Sequence, residues 1–237
     1  MSIKDLMESN VNSMMVNSWN VRDGRDVPDT EALGLGTNVG VQLQATYLYA
    51  DLAKSSDFGQ LLDPVDAAKI IKSFLFCASA LIKEHGGHIK SFDGDRVMAI
   101  YHGTEKENRA ARTALKLNWV VQEIIDDKAG RWVDWPEGAM TVKHATGIAT
   151  GEALLIRGGV RNDNDIASIG SAPNLAAKLS DLRTDDGRTF ACYRTWLGIT
   201  GDMARNFYDR DRWSELKHIT VGNKLQIYKA TNERMIP

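Results

Sequence analysis

IKSFDGDRVMAIYHG, residues 89–103, holds two strand-like runs joined at Asp93-Gly94. Asp-Gly between β-type segments signals a short hairpin, because both residues tolerate the positive φ that tight turns require. This assigns strands to 88–93 and 95–102. It leaves Asp95 unexplained, an acidic residue where the next strand should already begin. What flanks the hairpin decides its meaning.

Upstream lies the clearest helix signal. Asp63 suits an N-cap and Pro64 the first helical position. Ala67, Ile70, Ile71, Phe74, Leu75, Ala78, Leu81 and Ile82 follow at helical spacing, and Gly86-Gly87 end the run. Before it, VQLQATYLYADL (41–52) reads as a strand with Val41, Leu43 and Ala45 on one face. After the hairpin, Ala110, Leu115 and Val121 mark a second helix over about 105–126. A loop containing Trp, Gly and Pro then leads to the strand TVKHATGIATG, 141–151. The order β-α-β-β-α-β predicts an α+β, ferredoxin-like core. Added elements follow: a strand near 152–157, the polar loop RGGVRNDND, a short strand before Gly170 and a helix around 172–183. Residues 1–40 supply an amphipathic helix (Ile3, Leu6, Met7, Val11, Met14) and a Gly- and Asp-rich lead-in arm, with the main domain over 41–237.

In such a core the first strand runs antiparallel to the third. Asp51, closing the first, then meets Asp95, opening the third. Two carboxylates at one sheet edge repel unless they share a proton or a cation. Oxygen ligands with room for water and phosphate suit Mg²⁺ or Mn²⁺.

The bulk composition fits a soluble globular protein: 43% hydrophobic, 25% charged, net charge −2. That charge gives no general attraction to nucleic acid or an anionic membrane. No run is long and apolar enough to span a bilayer. The start, MSIKDLMESN, lacks a signal-peptide core, and Cys77 and Cys192 read as buried free thiols, so a cytoplasmic protein is expected. His85 and His88 are expected at the surface. Trp119, Trp196 and Trp213 are expected in cores or a dimer seam. No phosphate-loop motif occurs, and VMAIYHG lacks the aromatic, basic pattern of an RNA-binding strand.

Three segments resemble, in order, the motifs of class III nucleotidyl cyclases: YLYADLAKSS, GGHIKSFDGDRVMAIYHG and IGSAPNLAAKLSDLR. The resemblance spans roughly residues 41–200 and implies cyclisation of a nucleoside triphosphate. The 3′-hydroxyl attacks the α-phosphorus and pyrophosphate leaves. It further implies that Asp51 and Asp95, with the Leu52 carbonyl, hold two Mn²⁺ or Mg²⁺ ions. Lys54 and the AKSS loop would meet the terminal phosphates, and Asn174 would orient the ribose. The site would be shared across a head-to-tail homodimer. The transition-state position is Lys178 where the family usually has Arg, which keeps the charge and loses the two-pronged grip. A catalytically weak or dead nucleotide-binding module is the alternative that Lys178 raises.

The base-reading positions depart further. Ser91 stands where purine cyclases carry Lys or Glu, with Lys90 expected on the opposite strand face. Ala167 stands where a polar partner is usual. Tyr49 shares the Asp51 face and could fill part of the pocket. The combination most resembles the pyrimidine cyclases of bacterial Pycsar antiphage systems. Those make cyclic UMP or cyclic CMP, which activates a separate effector protein. UTP or CTP is the implied substrate, with purine cyclisation the alternative.

Overall fold

The computed structural model describes residues 1–136, 141–182, 189–199 and 212–237. Helix α1 (Ile3–Val16) is fixed at its start by a reciprocal cap between Ser2 and Asp5, yet none of its residues is buried. The arm after it is not all loop. Strand β1 (Asn20–Asp23) pairs in parallel with the beginning of β2 (Val39–Leu52). Its four residues are all exposed, so no hydrophobic alternation announced it. A short helix α2 (Ser55–Leu61) follows β2, entered through Lys54 in the left-handed conformation, φ 59°.

Helix α3 (Pro64–Glu84) forms as its pattern predicts. The Asp63 side chain accepts from the Val65 N–H at 2.8 Å, and Gly86 takes φ +68° just past the end. Strands β3 (His88–Asp93) and β4 (Arg96–His102) make the hairpin, but its tip is displaced by one residue. Asp93 pairs with Arg96, so Gly94 (φ +59°) and Asp95 are the turn, and Asp95 does not open the strand. Helix α4 (Lys106–Val120) passes through a π-helical turn (Val121–Ile125) into α5 (Asp126–Trp132). The helical run thus outlasts the expected end at 126, where the sequence offers no Gly or Pro to stop it. The segments expected as separate strands from 141 to 157 are one strand, β5 (His144–Val160), because Gly151 stays extended within it.

The hairpin partner β6 (Asp163–Ile169) leads into helix α6 (Ser171–Ser180); position 183 of the expected helix lies outside the described residues. Strand β7 (Thr189–Cys192), helix α7 (Tyr193–Gly198) and the hairpin β8 (Lys217–Val221)–β9 (Lys224–Thr231) complete the described chain. The main sheet runs β3-β4-β2-β5-β7-β9-β8, with β1 beside β2 and β6 beside β5. Its first four strands, with α3 and the α4–α5 helix, are the expected ferredoxin-like core.

Strand β2 shows how alternation makes two cores. Leu48, Ala50 and Leu52 point into the α3–α4 side, with Phe74 and Tyr101. Val41, Leu43, Ala45 and Tyr47 point to the opposite side, under Leu175, Ala176 and Leu179 of α6. Tyr49 and Asp51 continue the second set, so the sheet face that carries α6 also carries the acidic strand end. The α6 backbone presses directly on β5. A Cβ at Gly147 would lie 2.1 Å from the Ala176 carbonyl oxygen and 2.5 Å from the Ser180 nitrogen. Gly147→Ala is therefore expected to destabilise the fold by about 2–3 kcal/mol, the upper range for overpacked cores. Urea unfolding measures it, and a loss under 0.5 kcal/mol would show that α6 is free to lift.

Candidate active site

Asp51 is buried, with 6% of its side chain exposed, and its Oδ2 accepts a hydrogen bond from Arg96 Nη2 at 2.9 Å. The two residues are cross-strand partners on β2 and β4. The same Nη2 donates to Asp181 Oδ1 at 2.6 Å, at the C-cap of α6. Burial works against the Arg96 charge. The hydrogen bond and charge of Asp51, joined by Asp181, outweigh that and hold its pKa above the usual arginine value. Lys178 Nζ lies 3.9 Å from the other Asp181 oxygen.

Asp95 precedes Arg96 in the turn, and its Oδ2 is buried with no hydrogen-bond partner among the described residues. A sequestered carboxylate oxygen without a donor is costly and asks for a counter-charge. The register puts it next to the Asp51 carboxylate's partner, so both acids stand at one sheet end. These hard oxygen donors fit a divalent cation of the Mg²⁺ or Mn²⁺ kind.

Leu52 is fully buried and ends β2 opposite His144. Lys54 is exposed at the entrance to α2. Asn174 and Lys178 are both exposed on α6, away from the helix's buried side. Within one chain, Asn174 lines a cleft with Val221, Lys224 and Gln226 of the β8–β9 hairpin.

Tyr49 pairs with Met98, and Met98 with Ser91, so the three make one row across β2, β4 and β3. Burial raises the Tyr49 phenol, and the nearby Arg96 charge opposes this. Ala167 is exposed and pairs with Ile156, at the far part of β5 from Gly147, the β5 partner of Tyr49. The single chain therefore aligns Tyr49 with Ser91 and leaves Ala167 outside that row.

Lys90 does not follow the expected alternation. The β3–β4 register shifts between Ile89 and Ser91, and the Lys90 ammonium donates to the Pro28 carbonyl at 3.1 Å. Val27, beside Pro28, packs in the α6-side core, so the bulge turns Lys90 toward that face. Burial lowers its pKa, while the charges of Asp29 and Asp165 partly offset this. His85 and His88 are half-buried rather than surface residues. His85 Nδ1 lies 2.9 Å from the Leu81 carbonyl, and the His88 ring packs 5.3 Å from that of His102. Both pKa values are lowered, chiefly by burial.

Sequence reasoning passed over Arg96, Asp181 and Lys224. The first two carried a signal. Arg96 is a cation directly after an acidic turn, and Asp181 is an acid at a helix C-terminus, where the dipole disfavours it.

The architecture is that of a class III cyclase. The crystal structure of the guanylyl cyclase Cya2 superposes with a TM-score of 0.67 at 17% identity, over 84% of this chain and 96% of that one. No protein-family model matches the chain. Sequence relatives carry the assignment further. A uridylate cyclase of Rhodovulum sp. (strain MB263) is 44% identical over 234 residues, covering 98% of this chain and 97% of the relative. A uridylate cyclase of Xanthomonas perforans is 32% identical, covering 97% of each. The chain belongs to the uridylate cyclases, within the class III nucleotidyl cyclases.

Proposed function

We propose that the protein converts UTP to 3′,5′-cyclic UMP and pyrophosphate, with CTP the second candidate. The near-complete alignment with proteins named uridylate cyclase carries this reading. The bond from O3′ to the α-phosphorus forms, the bond from that phosphorus to the pyrophosphate oxygen breaks, and the hydroxyl proton leaves to solvent. Asp51 and Asp95, with the Leu52 carbonyl, would hold the divalent cations that class III cyclases generally use, two ions of Mn²⁺ or Mg²⁺. Such cations acidify the attacking hydroxyl and neutralise the leaving pyrophosphate.

The rest is the work of protein groups. Lys54 and the backbone N–H groups of 54–56 engage the terminal phosphates, while the Ala53 N–H is held by the Lys143 carbonyl at 2.8 Å. Asn174 orients the ribose. Lys178, one helical turn further along the same face, meets the charge that grows on the α-phosphate in the transition state. Both project from α6 into solvent, which supports their delivery to a second copy's aspartates in a homodimer with shared sites. We read the product as a diffusible messenger for a separate effector in antiphage defence, made in the cytoplasm without nucleic acid or membrane partners. No helix among the described residues is long and apolar enough to cross a membrane.

Base choice rests on the row Tyr49–Met98–Ser91. A purine is rewarded by a polar pair in a closed pocket, since unpaired polar groups there are costly. Ser91 is a poor substitute for Lys or Glu, and Ala167 offers no side-chain hydrogen bond. The Tyr49 ring narrows the space. In an equimolar mixture of the four nucleotides with Mn²⁺, cyclic UMP is expected to dominate, by at least about tenfold over either purine product. Chromatography of the products measures it. Tyr49→Ala is expected to erode this preference more than it lowers total turnover. Dominant cyclic AMP or cyclic GMP would overturn the base assignment and leave the cyclase assignment standing.

A further inference from the structure

Asp181 contradicts the local physics of α6, since a carboxylate at a helix C-terminus opposes the dipole. What it gains is Arg96, at 2.6 Å, a closer contact than the 2.9 Å between Arg96 and Asp51. The guanidinium is shared between an acid assigned to metal binding and an acid with no assigned role. It is only 26% exposed, so neither contact is a fully solvated surface pair. Meanwhile the Oδ2 of Asp95, the residue before Arg96, has no donor among the described residues.

We propose that Arg96 is a positioning residue that serves as the resident counter-ion of Asp51, and that Asp181 receives it when a divalent cation takes its place. The inference rests on the reading of Asp51 and Asp95 as metal ligands. One guanidinium nitrogen already touches both carboxylates, so the transfer needs no large rearrangement. Arg96 gives up one acceptor and keeps the other. Because Asp181 ends α6 and lies beside Lys178 at 3.9 Å, the exchange also changes the charge next to the helix that carries Asn174 and Lys178.

The test is Mn²⁺ affinity of the full chain without nucleotide, from the electron paramagnetic resonance signal of free Mn²⁺. Arg96→Gln removes the competitor and is expected to tighten binding on the order of tenfold, the equivalent of one strong contact. Asp181→Asn leaves Arg96 with Asp51 alone and is expected to weaken it about fivefold. In the Arg96→Gln background, Asp181→Asn is expected to change affinity less than about twofold, because nothing remains to be received. Additive effects would reduce the pair to background charge and overturn the transfer. So would two single variants that shift affinity the same way, or not at all. Should Arg96→Gln fail to fold, Asp181→Asn alone still decides, and unchanged or tighter binding overturns the proposal. Equal Mn²⁺ binding by wild type and Asp95→Asn would remove the metal reading itself, and this inference with it.

Discussion

Asp95→Asn is expected to lower UTP cyclisation by at least about a hundredfold while leaving the fold intact, the scale on which lost electrostatic stabilisation is felt. Two observations set the direction. Asp95 occupies a turn, so its side chain supports no core packing. Its Oδ2 is buried without a donor among the described residues, so neutralising it removes a cost to the metal-free protein. The melting temperature without metal should therefore stay the same or rise. Asp51→Ala is expected to be as damaging to turnover. There the Arg96 guanidinium keeps Asp181, so the half-buried arginine is not stranded. Turnover assays in Mn²⁺, with thermal melts on the same samples, decide both. Near-normal rates in either variant would end the two-carboxylate assignment.

The second large effect concerns assembly. Asp51→Ala and Lys178→Ala chains, each nearly inactive alone, are expected to recover up to about a quarter of wild-type activity when mixed. In a head-to-tail pair with shared sites, half the dimers are mixed and each holds one intact site. The exposed placement of Asn174 and Lys178 is what motivates the experiment. The same structure supplies its counter-hypothesis. Lys178 contacts Asp181, which shares Arg96 with Asp51, so a chain of charges already links Lys178 to its own aspartate. Failure of freely exchanging chains to complement would favour a site completed in cis. A sedimentation mass of one chain at high concentration would do the same.

The core was legible because period and punctuation agreed. Asp63-Pro64 and Gly86-Gly87 bracket α3 just where its apolar stripe begins and ends, and the alternation of β2 separates the two cores. What escaped was whatever depends on backbone pairing or register. Strand β1 is four exposed residues held by main-chain hydrogen bonds. The hairpin tip moved because Gly94 alone took positive φ, leaving Asp93 in the strand. Lys90 changed faces because a bulge breaks the two-residue period on which its expected direction relied. Of the proposed site, Asp51, Asp95, Asn174 and Lys178 are the residues that motif order singles out. The ion-pair partners Arg96 and Asp181 were passed over: each is locally unusual, but nothing within either segment says that the two meet.

The bond from Lys90 to the Pro28 carbonyl bears on how the chain can be cut. Composition draws a border at residue 40, with an arm on one side and the main domain on the other. Mechanically the border does not exist. A protein trimmed to 41–237 would lose the strand that lines the start of β2 and free an ammonium group beside the row that contains Ser91. Trimming would thus add a mobile cation beside the row to which we assign base discrimination. For anyone dissecting this enzyme by deletion, the segment around Pro28 belongs with the strand that carries Ser91.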